Sequence, residues 1–530
     1  MSFNIPNQNH QSVMSHKFSE VPHADIPRST FDRSHGYKTT FDAGLLIPIL
    51  VDEVLPGDTF NVNVTGFARL ATPIFPIMDN MFLDTHYFAV PVRLLWSNWQ
   101  KFHGEQENPG DSTDYTVPQI ESGEDGFIIG SLFDYFGLPT DVSGISVSAL
   151  YSRAYNLIYN EWYRDENLID SLVVDKDDGP DTLGDYQTVR RRGKRHDYFT
   201  SALPWPQKGV GVSIPLGTVA PVVSNNTQIQ FRGVGTGSTR NLDMSSVSGA
   251  NKIGYSGAAM SDSAGFGANT GLYTDLSTAT AATINSLRQA FQIQRIYEKD
   301  SRSGSRYIEM LKAHFGVTSP DYRLQRPEYL GGGSVPVNIS PIPQTSSTNV
   351  TTPQGNLSAI GTASLRNGFT QSFTEHCIIM GIASVRADLT YQQGIDRMFS
   401  RKTRFDYYLP ALSAIGEQAV LQKEIFADGN PTNDEKVFGY QERYAEYRYK
   451  PSKITGLFRS SAAGALDAWH LSQTFSTAPV LDQTFIEENP PVDRVIAVPS
   501  QPHFLYDSYI SMRCTRPMPV FGVPGLIDHF

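Results

Sequence analysis

The stretch Val54–Gly104, VLPGDTFNVNVTGFARLATPIFPIMDNMFLDTHYFAVPVRLLWSNWQKFHG, decides the fold class of this chain. Phe60, Val62 and Val64 alternate with Asn61, Asn63 and Thr65, the period-two pattern of a strand with one buried and one wet face. After Pro73 and Pro76, Met78–Val92 runs almost continuously apolar and is rich in β-branched and aromatic side chains. A strand covered on both faces has that character, so this segment is expected at the centre of a sheet. Leu95, Trp99 and Phe102 then fall at helical spacing and predict a short amphipathic helix. Such a unit leaves an apolar sheet face that requires a second layer.

Working outward, 530 residues leave room for two or three domains or for one β domain with large insertions. The 33 prolines, 43 glycines, 30 phenylalanines and 25 tyrosines, set against 18% charged residues, favour strands joined by long ordered loops. A net charge of −11 excludes a protein that holds nucleic acid through a dominant basic surface, so any such contact is local. Cys377 and Cys514 lie in alternating apolar runs and are expected as buried free thiols in a reducing compartment. The N-terminal MSFNIPNQNHQSVMSHKF has no apolar core, and no run approaches the roughly 18 apolar residues of a membrane span. Cytosolic synthesis without membrane insertion is the expectation.

Residues 1–40 are polar and broken by Pro6, Pro22 and Pro27, which predicts an extended arm. His10, His16, His23 and His35 within it match no compact metal pattern. The apolar run Gly44–Val54 is expected to pair beside the strand at 60–65. Glu105–Gly126 reads as a long exposed loop. Leu150, Ala154, Leu157, Ile158 and Trp162 then predict a helix over Ser146–Asn167. Asp175, Asp177, Asp178 and Asp181 invite a calcium loop, but a loop starting at Asp175 has Gly179 and Pro180 at its fifth and sixth places. An EF-hand needs an acid and then glycine there, so an acidic surface turn is the reading, with no metal and no cofactor.

Val189–His196, VRRRGKRH, is the densest basic cluster, with Tyr198, Phe199 and Trp205 following. Arg190, Arg191, Arg192, Lys194 and Arg195 supply the charge, and the rings supply stacking surfaces, for a nucleic-acid contact. The alternative pairs these cations with a neighbouring subunit or with the acids at Asp175–Asp181. Residues 224–283 are poor in charge and rich in Gly, Ser, Thr, Ala and Asn, yet Phe231, Tyr255, Phe266 and Tyr273 recur through them. That combination predicts an ordered surface projection in place of a tether. Strand signals resume at Phe373–Tyr391 and at Phe504–Thr515, where Ile510, Met512 and Cys514 alternate with Ser511, Arg513 and Thr515. Strong strands at both ends point to one antiparallel sandwich drawn from distant segments, in Greek-key or jelly-roll fashion. No HExxH, GxSxG or Cys/His metal set is present, and the acids cluster in polar loops, so the chain is not read as an enzyme.

The runs FDRSHGYKTTFDAGLLIPILVDEVLPGDTF (31–60), MDNMFLDTHYFAVPVRLLWSNWQKFHGE (78–105), YFTSALPWPQKG (198–209), ERYAEYRYKPSKITGLFR (442–459) and FLYDSYISMRCTRPMPVFGVPGLIDHF (504–530) carry a family resemblance. They resemble the major capsid proteins of microviruses, small icosahedral single-stranded DNA phages, and within them the gokushovirus branch. The resemblance implies a mainly β protein, a single eight-stranded antiparallel jelly roll over residues 41–530 with large loop insertions and a few helices. It implies a T=1 icosahedral shell around a circular single-stranded DNA genome, assembled in the host bacterial cytoplasm. Residues 224–283 match the insertion that such proteins raise at three-fold axes, the segment expected to meet a host cell-surface receptor, a glycan included. A small basic DNA-binding protein, a pilot protein and an internal scaffolding protein are the implied partners. Within residues 504–530, the last strand and C-terminal extension, Phe521, Leu526, Ile527 and Phe530 offer anchors for an adjacent subunit. The competing function class is a glycan-binding jelly-roll protein.

Overall fold

The computed structural model describes residues 27–213, 284–348 and 353–522, with the short segments 222–224, 230–233, 239–247, 250–255, 264–266 and 272–275. It divides into two compact units, one of Met1–Pro204 with Gly304–Phe530 and one of Trp205–Ser303.

The first unit is antiparallel β. The strands of its two main sheets are β1 (Ser29–Asp32), β2 (His35–Phe41), β3 (Ile47–Val54), β4 (Thr59–Leu70), β5 (Met81–Pro91), β6 (Glu328–Pro336), β7 (Asn338–Pro343), β8 (Leu357–Ser372), β9 (Cys377–Ala387) and β10 (Phe504–Arg516). In the first sheet β1 and β2 both pair with β10, which pairs in turn with β4, followed by β8 and β7. In the second the order is β6, β5, β9, β3.

The alternation read in β4 is what buries the first sheet on one side only. Phe60, Val62, Val64, Ala68 and Leu70 point inward while Asn61, Thr65, Phe67 and Arg69 face out. β10 does the same with Phe504, Tyr506, Ile510, Met512 and Cys514. The second sheet is covered on both faces, the physical reason its strands are continuously apolar. From β5 and β9, Leu83, Tyr87, Ile379 and Val385 enter the core between the sheets, whereas Phe88, Val90, Ile378 and Met380 pack on the far side. There they meet Trp96 and helix α1 (Leu150–Ile158). The predicted helix at 146–167 is thus shorter than its periodicity, because Ser146–Ser148 form a strand and Tyr159–Tyr163 close in a π-turn. The segment read from Leu95, Trp99 and Phe102 makes a single turn, Trp99–Phe102. Cys377 and Cys514 are buried and free.

Two expectations are corrected. The run at 44–54 does not lie beside the strand at 60–65, because β3 belongs to the opposite sheet, on β9. A tight corner carries the chain across: Gly57 sits at φ 89°, where only glycine is unstrained. The buried Asp58 carboxylate accepts from the Leu55 amide at 3.0 Å and from Arg516 Nε at 3.0 Å, pinning that corner to the end of β10. The second correction concerns the arm. Its residues 29–32 and 35–41 are edge strands, because β10 presents them a free row of backbone donors and acceptors. Residues 1–26, with His10, His16 and His23, lie outside the described residues.

The second unit holds a four-stranded sheet in the order Ala250–Tyr255, Thr239–Val247, Gln230–Gly233, Ala264–Phe266. Its described residues also include a two-stranded pair, Val222–Ser224 with Leu272–Thr274, and helix α2 (Ile284–Ser303).

Gly368 of β8 faces Asn63 of β4, and a Cβ there collides with the backbone carbonyl of Val62. Gly368→Ala should therefore force the central pair of the first sheet apart and cost about 1–3 kcal/mol, as overpacking does. The midpoint of thermal or denaturant unfolding checks it.

Candidate nucleic-acid and subunit interfaces

The basic cluster sits where the two sheets meet the long connection between β9 and β10, and most of it is turned inward. Arg191 Nη1 donates to the carbonyls of Ala43 (3.0 Å) and Glu488 (3.2 Å). Arg192 Nη1 donates to Asp84 Oδ2 of β5 at 2.7 Å, and Arg386 Nε of β9 reaches the same oxygen at 2.8 Å. Lys194 donates to the Phe485 carbonyl and to Gln473 Oε1 (3.1 Å), with its ammonium 4.4 Å from the centre of the Phe485 ring. The Arg190 amide donates to Tyr155 Oη at 3.0 Å. Arg195 alone of the five is largely solvent-facing, 63% exposed and 3.8 Å from Asp388. Tyr198 and Phe199, expected as stacking surfaces beside it, are buried.

The acids at 175–181 are not the partners of this cluster. Arg153 of α1, wholly buried, takes both Asp181 and Asp177 and donates to the Leu95 carbonyl at 2.9 Å. Asp178 accepts from Trp96 Nε1 at 2.7 Å and Asn98 at 2.8 Å. The expected surface turn is therefore a brace holding α1 against the end of β5, and Asp181 is buried in it.

Burial and charge act in opposition here. Burial pushes the Lys194 ammonium down to about 8, the nearby Glu488 and Asp197 charges only partly offsetting it. Burial raises the Glu488 carboxyl. Burial also raises Asp84, but the Ser334 hydrogen bond and the Arg192 and Arg386 charges outweigh it, and Asp84 is held below the usual carboxylate range.

Sequence reading missed a second basic face. Residues 395–408 and 443–459, both in the β9–β10 connection, carry Arg397, Arg401, Lys402, Arg404, Arg443, Arg448, Lys450, Lys453 and Arg459 against Asp396, Asp406 and Glu446. The Arg401 guanidinium lies 4.3 Å from the Tyr447 ring and 5.3 Å from the Tyr407 ring. Lys450 and Lys453 share the Asp396 carboxylate, at 3.2 Å for Lys450, and both remain solvent-facing. Burial raises Asp396, yet the two lysines hold it below the usual range. A cavity of about 380 Å³ opens among Arg397, Phe399, Tyr449, Lys450, Lys453 and Arg459. The signal was present in EYRYKPSK, where cations alternate with rings. Its charge is thinner than in VRRRGKRH, and nothing in the chain shows that 395–408 joins it.

Of the remaining candidates, Phe521 is largely solvent-facing, while Leu526, Ile527 and Phe530 lie outside the described residues. Tyr273 is 53% exposed. Phe231, Tyr255 and Phe266 fall on strands of the second unit, and their side chains lie outside the described residues. Among the described residues no group of three or more His, Cys, Asp or Glu could hold a metal. No helix there is long and apolar enough to cross a membrane.

A sandwich of two main sheets whose connecting loops carry exposed rings has the makings of an assembly unit. A family model described as capsid protein (F protein) matches residues 19–526. The chain belongs to that family. This F-type capsid chain is similar to Capsid protein VP1 of Bdellovibrio phage phiMH2K, 48% identical over 527 residues covering 97% of the chain and 98% of the relative. It is 46% identical to Capsid protein VP1 of Chlamydia phage 1 over 586 residues, 97% and 98% of the two chains. It is 37% identical to Capsid protein VP1 of Spiroplasma virus 4 over 545 residues, 96% and 97% of the two. The capsid chain is thus of the gokushovirus type, structural and not enzymatic, and its place is the virion.

The Lys194 shift has a measurable sign. Its folded pKa of about 8 lies below the ordinary lysine value of 10.5, so between the two the unfolded chain binds the extra proton and stability rises with pH. Against Lys194→Met, the wild type should gain stability from pH 8 to 10 by at most about 1.4 kcal/mol per pH unit. Denaturant titrations across that range check it, and a flat difference contradicts it.

Proposed function

We propose that this capsid chain is the repeating unit of a closed T=1 icosahedral shell around a circular single-stranded DNA genome, assembled in the host bacterial cytoplasm. The observation that carries the reading is the strand order. β2, β10, β4 and β8 face β3, β9, β5 and β6 across one core, which supports a single eight-stranded jelly roll with β1 and β7 added at the edges. Such a sandwich supplies a rigid plate, and the long connections supply the closed heterologous contacts of a shell.

The net charge of −11 means that packed DNA is neutralised mainly by cations or a separate small basic DNA-binding protein. In this reading a pilot protein and an internal scaffolding protein complete the set of phage partners. Of the cluster at 190–195, Arg195 is the residue offered to DNA, since the structure engages Arg191, Arg192 and Lys194 internally. Residues 224–283 form a three-fold protrusion that meets the host receptor, and Tyr273 is exposed on it. The C-terminal extension docks on a neighbour through Phe521, Leu526, Ile527 and Phe530.

Electron microscopy of the chain expressed alone and with its phage partners tests the shell. Uniform small icosahedral particles with three-fold protrusions are expected; dispersed monomers in both samples would sink the reading. Deleting Phe521–Phe530 should leave a folded chain that no longer closes shells. Normal particles from that truncation would remove the docking role from the C-terminus.

A further inference from the structure

Most of the molecule's buried charge is spent on bracing. The face made by 395–408 and 443–459 differs: Arg397, Arg401 and Tyr444 are turned inward, the two arginines onto Glu424 and Glu446, but Lys450, Lys453, Arg459 and several rings remain open to solvent. Phe399 is 71% exposed, Tyr407 54%, Tyr447 50% and Tyr449 51%. Lys450 and Lys453 are 62% and 44% exposed. An exposed ring is a cost in a monomer, and several together mark a surface that is covered in use.

We infer that this face is a binding site for single-stranded DNA, with a base received against Phe399 and Tyr449 in the cavity and phosphates met by Lys450, Lys453 and Arg459. The inference rests on the capsid reading and adds where the genome touches the shell. The cavity, about 380 Å³, is at the small end of the range for ligand pockets, a size suited to one nucleotide. Its walls combine the two features that such recognition needs, a ring face for stacking and cations for the backbone. Lys453 Nζ lies 5.6 Å from the Phe399 ring centre, so charge and stacking surface sit within one nucleotide of each other. Asp396 fixes both lysines yet cancels only one of their charges. Arg459 Nη1 is tethered to the Gln392 carbonyl at 2.7 Å, which orients its guanidinium along the cavity wall.

Arg401 serves a different purpose. Stacked on Tyr407 and Tyr447 and 3.4 Å from Glu446, it locks the two segments into one face. A single strand fits better than a duplex, whose bases are already stacked and whose ring faces are hidden. It also fits better than a neighbouring subunit, because protein interfaces are depleted in lysine, whereas Lys402, Lys450 and Lys453 are gathered here. Contact of this kind is tolerant of base sequence.

The full-length chain is titrated against a fluorescent oligodeoxythymidine of about 16 nucleotides, within the site sizes of single-strand binders, and against a duplex of the same length. The single strand should bind more tightly, and salt should weaken it. Lys450→Gln with Lys453→Gln should flatten the log–log salt slope by about 0.7 for each lysine. Tyr449→Ala should cost about tenfold in affinity and leave the slope unchanged. Photo-crosslinking of wild-type chain to a 5-iododeoxyuridine oligomer, mapped by mass spectrometry, reads the site without any variant: adducts on Phe399 or Tyr449 support it, and adducts confined elsewhere overturn it. Particle formation is scored on the same proteins. Variants that assemble and keep wild-type affinity overturn the site and leave the capsid reading intact. Variants that bind the oligomer normally but do not assemble make the face a subunit contact, which also overturns it. Wild type that binds as described but never closes shells removes the closed-shell reading instead.

Discussion

The first sheet depends on the last strand of the chain. β10 lies between β2 and β4, pairing His35 with Ile510 and Val64 with Ile510 from its two sides. Until it arrives, β4 has a bare edge and β1 and β2 have no partner at all. Its alternation then completes the core wall, with Tyr506, Ile510 and Met512 facing the second sheet. Arg516, just beyond, reaches back to Asp58 at the corner where the chain crosses between sheets. Pairing at such sequence separation is slow, because loop closure precedes any reward from contacts. The first sheet can close only after β10 has been made.

The second sheet imposes a different constraint. It is covered on both faces, so the loops laid over it must satisfy their polar groups without water. Charge does that work. Asp84 holds Arg192 and Arg386, and Arg153 holds Asp181 with a fully buried guanidinium. Removing one partner from such a pair leaves an uncompensated buried charge, so these contacts define one arrangement of the loops more than they add stability. That serves an assembly unit, whose surfaces must be presented in one geometry to every neighbour.

The two basic segments divide accordingly. VRRRGKRH is dense in charge but lies at the junction of both sheets, where Arg191, Arg192 and Lys194 meet internal acceptors. The thinner, ring-interleaved segments at 395–408 and 443–459 belong to the long connection between β9 and β10, and function is usually carried on such loops. Local charge density alone therefore did not reveal which cations stay open to solvent. Burial decides which charges are available, and burial belongs to the whole fold.

Periodicity by itself determined the β class, the inward faces of β4 and β10, the doubly covered β5 and the helix at α1, because those signals arise within one element. The family motifs carried the capsid identity. Which strands pair was not legible: the run at 44–54 is as compatible with β4 as with β9, and only the glycine corner and the Asp58–Arg516 contact send it to the other sheet. The edge role of residues 29–41 was hidden for the same reason, since their partner lies at the far end of the chain. The fate of each charged residue was decided by tertiary structure alone, because a cation's partner and its exposure are properties of what folds around it.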